Sequence, residues 1–156
     1  MTYRRVLIIR PSALGDVCRS VPVLTSLRKA LPEARIDWLV QAEFIDAVRA
    51  HPALNHAIPF ARKEMAIGRL HRRQARSSLS GLIHTLREPE YDLVIDCQGL
   101  ARSGLFARLT GARTRIGHAD ARELAWLHYT RRVPPGNSPH TVDRMLDLIR
   151  ALDIQP

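Results

Sequence analysis

The spacing of apolar residues changes repeatedly along the chain, and each change predicts an element. Val6-Leu7-Ile8-Ile9 is a continuous apolar run, the pattern of a strand buried on both faces. Val17, Val21, Leu24, Leu27 and Leu31 then recur at steps of three and four, which predicts a helix closed by Pro32. Pro22 falls inside that stripe, so either the regular helix starts near Ser20 or its first turns are kinked. Further strands are predicted over 35–40, 56–60, 93–95 and 114–117, with a short one at Arg132-Val133. Helices are predicted over 42–50, 100–109, 122–128 and 139–152. Leu79, Leu82, Ile83 and Leu86 mark another helix, and Arg69, Arg72, Arg73 and Arg76 form a basic stripe at the same spacing upstream.

This alternation of strand and helix signals predicts an α/β domain, a Rossmann-like, doubly wound parallel sheet with helices on both faces. With strand order 3-2-1-4-5, the ligand crevice lies beyond the carboxyl ends of strands one and four. The loops leaving those strands bring Ser12, Gly15, Asp16, Asp96, Gln98 and Gly99 to one edge. Neither G-x-G-x-x-G nor a P-loop is present, and Asp16 would repel a phosphate. Near a helix N-terminus a carboxylate is stabilised by ~0.3–1 kcal/mol. Asp16 therefore reads either as the helix N-cap or as a base for a hydroxyl or amine. Asp96 reads as a support for its own loop, and Gln98 as a hydroxyl ligand or a turn residue. His118 falls near the crevice edge, with a solvated or capping imidazole as the plainer reading. Arg122 and Glu123 read as an internal ion pair, or Arg122 as a clamp for an acid.

The chain has 156 residues, enough for one domain, and its formal charge of +9 favours an anionic partner. Cys18 and Cys97 fit no paired metal spacing and read as small buried apolar residues in a reducing compartment. The histidines fit no zinc pattern. The longest aliphatic runs fall far short of the ~20 residues of a membrane span. A cytoplasmic protein is expected.

Three stretches together resemble the ADP-heptose:lipopolysaccharide heptosyltransferases, glycosyltransferase family 9, closest to the heptosyltransferase I branch. The first is Ser12-Ala13-Leu14-Gly15-Asp16-Val17 with Pro22. The second runs from Tyr91 to Leu124 and includes Asp96-Cys97-Gln98-Gly99-Leu100 and Ala121-Arg122-Glu123. The third is His140-Thr141-Val142-Asp143-Arg144. The resemblance implies the N-terminal domain of a GT-B glycosyltransferase. Residues 1–152 would be its acceptor-binding domain and 153–156 the start of the inter-domain linker, with the C-terminal donor-binding domain absent. It implies inverting transfer of heptose from ADP-heptose to the Kdo-lipid A inner core, without a metal or cofactor, the donor binding mainly the missing domain. A fragment of this kind is expected to be inactive alone.

Carried over by residue, the resemblance makes Asp16 the base. Ser12 and Gly15 would shape its turn, with Gln98 and Gly99 on the facing loop. Arg62, Lys63, Arg122 and Arg144 would contact the acceptor's acids, although residues 61 to 76 depart from the family's basic loop. The implied partners are the anionic lipopolysaccharide precursor, the inner-membrane surface and, through the missing domain, the nucleotide-sugar. The expected location is cytoplasmic and peripheral to the inner membrane. Two other readings remain: a stand-alone basic Rossmann-like module binding nucleic acid or nucleotides, and a non-catalytic GT-B half serving as an interaction domain. The resemblance favours the enzyme, with no nucleic acid partner. That reading requires the Asp16 carboxylate to open on the groove and not to be pinned by a buried arginine.

Overall fold

A computed structural model describes residues 3–61 and 72–156. Six parallel strands form one sheet in the order β3-β2-β1-β4-β5-β6. They are β1 (Arg5–Ile9), β2 (Arg35–Gln41), β3 (His56–Phe60), β4 (Leu93–Asp96), β5 (Thr114–His118) and β6 (Arg131–Val133). The predicted strand order is observed, and the short sixth strand extends it at one edge. Pro59 sits in β3, the other edge strand, where a missing N–H is tolerated.

Alternation along β1 divides the core in two. Val6 and Ile8 join Trp38, Leu24, Leu27 and Met145 on one face of the sheet. Leu7 and Ile9 join Leu39, Phe60, Leu86 and Phe106 on the other. Helices therefore cover both faces. α1 (Leu14–Arg19), α2 (Val21–Ala30) and α5 (Thr141–Arg150) supply the first cluster. α3 (Arg72–Arg87) and α4 (Ala101–Leu109) supply the second. Each fully buried aliphatic side chain contributes roughly 1.5–3 kcal/mol. On α5 the buried residues are Met145, Leu148 and Ile149; Leu146, and Leu152 just beyond the helix, pack only partly. Ile154 is buried against the first cluster as well.

Pro22 resolves into a break rather than a kink. α1 ends at Arg19 and a second helix begins at Val21, with the proline in its first turn, where its missing N–H leaves no helical bond unmade. Ser20 joins the two. Its Oγ lies 2.8 Å from the Asp16 carbonyl oxygen and 2.9 Å from Met145 Sδ.

Two predicted helices are shorter than expected. Over 42–50 only a 3₁₀ helix forms, Ala42–Ala47, and none of its residues is buried. Only Phe44 and Ile45 pack against the core, each partly buried, and so short a segment gains too little from that to propagate as an α-helix. Over 122–128, Glu123 and Leu124 take left-handed backbone angles, φ 53° and 61°, which an α-helix cannot hold. Only Ala125–His128 coils, again as a 3₁₀ helix.

Candidate functional site

The β1 loop begins with Arg10, which follows the apolar strand directly and is 7% exposed. Its Nη1 donates to the Cys97 carbonyl, at the end of β4, and its Nη2 lies 2.7 Å from Asp16 Oδ2. One guanidinium thus ties the two crevice loops together. A second tie is the Ser12 amide, which donates to Gln98 Oε1 at 3.3 Å.

Asp16 lies in the first turn of α1, but the N-cap is Ala13, which makes no side-chain cap bond. The cap reading is therefore corrected: Asp16 faces sideways onto arginines instead. Oδ2 is held by Arg10, and Oδ1 lies 3.4 Å from Nη1 of the exposed Arg19 one turn on. The carboxylate is about one-third exposed. The requirement that it escape a buried arginine is not met at Oδ2, whereas Oδ1 meets only the exposed Arg19, so base chemistry is confined to that one oxygen. Arg10 pins one oxygen, because the C-terminal end of a buried central strand places the residue after it inside the crevice. Gly15 beside it is exposed, and a side chain there would meet nothing within 4 Å.

The β4 loop is organised by Asp96, which is 1% exposed. Its Oδ1 accepts from the amides of Gln98 (2.8 Å) and Gly99 (3.1 Å), and its Oδ2 from Tyr129 Oη at 2.7 Å. Burial raises its pKa, and these hydrogen bonds oppose the rise. Asp96 supports its own loop, as its position suggested. Gly99 turns that loop with φ +70°, a left-handed angle suited to glycine. Gly117 is needed for another reason: a Cβ there would collide with the Tyr129 ring that reaches Asp96. Cys97 is buried, and desolvation pushes its thiol up to about 12, Asp96 adding to the rise and Arg10 opposing it. Cys18, expected inside, is exposed on α1.

Two hollows flank this seam. One, of about 210 Å³, is lined by Ser12, Gln41, Phe60, Gln98, Arg102 and Glu123 among others. Arg102 stands 5.7 Å over the Phe60 ring there. The other, of about 370 Å³, is lined by Arg10, Gln98, Gly99, His118, Arg122 and Arg144 among others. The structure therefore gathers Ser12, Gln98, Gly99, Arg122 and Arg144 around the seam. Asp16 reaches it through Arg10. Arg62 and Lys63 lie outside the described residues, as does Arg69 of the basic stripe.

Arg144 is not free. Its Nη2 lies 2.9 Å from both carboxylate oxygens of Asp120. Burial alone would raise the pKa of Asp120, but the hydrogen bond and charge of Arg144 outweigh it and lower the value. Glu123 does not pair with Arg122; its Oε2 accepts from the Ala101 amide at the start of α4. His118 is neither solvated nor a cap. It is buried, and neither ring nitrogen makes a well-formed hydrogen bond, the Arg144 backbone giving only a weak contact. Its pKa is lowered by desolvation first and by the Arg144 charge next, against Asp120, Asp147 and the Arg144 backbone. Sequence reasoning missed Arg10, Arg102 and Asp120. Only the place of Arg10, at the end of the central strand, could have marked it. Among the described residues no cluster of three or more His, Cys, Asp or Glu could hold a metal ion. No helix among them is long and apolar enough to cross a membrane.

Residues 79–155 match the model of glycosyltransferase family 9 (heptosyltransferase). Lipopolysaccharide heptosyltransferase 1 of Pseudomonas aeruginosa is 36% identical, over 96% of this chain and 43% of that protein. Its counterpart in Escherichia coli K12 is 34% identical, over 92% of this chain and 46% of the relative. The solved E. coli heptosyltransferase WaaC with ADP-2-deoxy-2-fluoro heptose superposes with TM-score 0.85 at 30% identity, over 97% of this chain and 49% of that one. The chain spans about half the length of the relatives it matches. The three motif stretches, the strand order and these similarities agree: the chain belongs to glycosyltransferase family 9, the heptosyltransferases.

Proposed function

We propose that this chain is the acceptor-binding half of an inverting heptosyltransferase that moves heptose from ADP-heptose to the Kdo-lipid A inner core. The observation that carries the reading is the cationic crevice at the ends of β1, β4 and β5. Arg10, Arg122 and Arg144 line one hollow beside the helix that bears Asp16; Arg10 pairs with Asp16 and Arg144 with Asp120, which leaves Arg122, among the described residues, as the unpaired cation of the three. An acceptor rich in carboxylates and phosphates complements such a wall. The relatives' names, lipopolysaccharide heptosyltransferase 1, support the substrate class. So does the ADP-2-deoxy-2-fluoro heptose bound in the solved WaaC structure.

In this reading an acceptor hydroxyl attacks the anomeric carbon of the heptose. The new C–O bond forms as the bond to ADP breaks, ADP leaves with the electron pair, and the hydroxyl proton passes to Asp16. Arg10 fixes the carboxylate by Oδ2, so Oδ1 is the atom that receives the proton. Its contact with Arg19 is long and exposed, and surface pairs of that kind are worth only ~0–1 kcal/mol. The incoming hydroxyl displaces Arg19 at little cost. A base must lie within hydrogen-bond reach of the proton it takes, and Arg10 keeps it there. The +9 charge supports docking on an anionic membrane surface from the cytoplasmic side, each basic residue near it adding ~1 kcal/mol.

The test is a titration of the chain with Kdo-lipid A in detergent and, separately, with mixed oligonucleotides. The proposal expects acceptor binding that weakens about tenfold or more in Arg122→Ala, with no oligonucleotide binding at moderate salt. Oligonucleotide binding without acceptor binding would favour the nucleic-acid reading.

A further inference from the structure

Two side chains in the crevice leave polar atoms poorly satisfied. Arg10 Nε and both ring nitrogens of His118 are buried without a well-formed hydrogen bond, His118 having only a weak contact with the Arg144 backbone. The two residues come from the ends of different strands, β1 and β5, are 7% and 9% exposed, and line the same 370 Å³ hollow. Buried polar groups are almost always partnered, so two poorly satisfied ones on one hollow call for a ligand. A third donor is available beside them. Arg122 is exposed on the rim, and its side chain has no partner among the described residues. The lining carries three guanidinium groups and one carboxylate, Asp120. Arg10 is partly neutralised by Asp16, and Arg144 by Asp120. The complement of such a wall is a compact oxyanion, a carboxylate or a phosphate group.

We propose that His118 is an oxyanion-binding residue. In the loaded hollow its imidazole turns a ring N–H onto a carboxylate or phosphate oxygen that Arg122 also holds. The acid concerned is that of the acceptor, so the inference deepens the acceptor-binding reading and rests on it.

The charges around His118 set a signature. Burial and the Arg144 charge favour the neutral imidazole, Asp120, Asp147 and the Arg144 backbone oppose them, and Arg10 and Arg122 stand on the same hollow. Cys97 beside them stays a neutral thiol. An oxyanion against the ring offsets both burial and Arg144, so the imidazole takes up a proton as the anion binds. Carboxylate affinity therefore rises as pH falls from 8 to 6, a range in which the carboxylate itself does not titrate.

The test uses the 156-residue chain, with imidazole nitrogen NMR as readout and two probes, the sugar acid Kdo and inorganic phosphate. At least one probe should shift the His118 ring nitrogens. Kdo binding should tighten about fivefold or more from pH 8 to pH 6. His118→Leu should weaken binding about tenfold at pH 6 and melt no lower than wild type, because it removes an unsatisfied buried group. His118→Gln retains an N–H donor and should recover part of the affinity without the pH dependence. Binding unchanged in His118→Leu, or ring nitrogens that neither probe moves, would overturn the inference. If Kdo binds equally well to wild type and His118→Leu, the inference fails and the acceptor reading stands. If phosphate shifts His118 but no Kdo compound binds, the oxyanion site stands and the acceptor reading fails.

Discussion

Asp96 and Asp16 leave neighbouring strands of the same sheet, yet the fold treats them in opposite ways. Asp96 is sealed, and its oxygens are filled by two loop amides and a tyrosine hydroxyl. Asp16 is one-third exposed, held on one oxygen by a buried arginine and grazed on the other by a long surface contact with Arg19. The first has no capacity left for a ligand, whereas the second has one oxygen that a hydroxyl can claim. A saturated carboxylate shapes the crevice; a carboxylate anchored at one point can act in it. The same division separates Asp37, buried among Tyr91, Arg35 and His56, from His118, which makes no well-formed hydrogen bond.

The contrast can be broken most forcefully at Asp96. Asp96→Ala strands the Tyr129 hydroxyl and two loop amides, and should cost about 3 kcal/mol or more in urea denaturation. A loss below about 1 kcal/mol would mean the loop does not depend on it. Gly117→Ala attacks the same network from behind. The new methyl displaces the Tyr129 ring, and overpacking of this kind costs about 1–3 kcal/mol, read as a lower denaturation midpoint.

His118 sharpens the comparison through pH. Its folded pKa is lowered, so the folded imidazole stays neutral while the unfolded one takes a proton near pH ~6.5. Its contribution to stability is complete above that pH and is lost as pH falls toward the folded value. The slope is at most about 1.4 kcal/mol per pH unit, and His118→Leu should remove it from the pH series of denaturation midpoints. The smallest effect belongs to Arg19→Ala, which should change stability by about 0.5 kcal/mol or less. A larger loss would make Arg19 a second anchor and close Oδ1 to the acceptor.

Periodicity was enough to read the sheet. Five strands followed from apolar runs such as Val6–Ile9, their order from the doubly wound fold class that the strand–helix alternation implied, and the two-sided core from continuous rather than alternating hydrophobicity. It failed where local backbone geometry decided the outcome. The left-handed Glu123 and Leu124 carry no compositional mark, and the 42–47 turn looks like a helix until it is known that only Phe44 and Ile45 pack on the core, and those partly. In the site, the loop residues were legible because strand ends converge. Arg10 was not, since an arginine after an apolar run reads as a solvated strand end. Only the crossing of β1 and β4 loops shows that it lies inside, bound to Cys97 and Asp16 at once.

In the proposed reaction Asp16 Oδ1 receives the acceptor's proton. This step is tested most directly by Asp16→Asn in the two-domain transferase of which we propose this chain forms half, measured as ADP release with ADP-heptose and Kdo-lipid A. Asparagine keeps the shape of the side chain and removes the basic oxygen. The expected result is that kcat falls about 10²–10⁴-fold, with acceptor affinity within about twofold of wild type. A kcat within about threefold of wild type would contradict this role of Asp16.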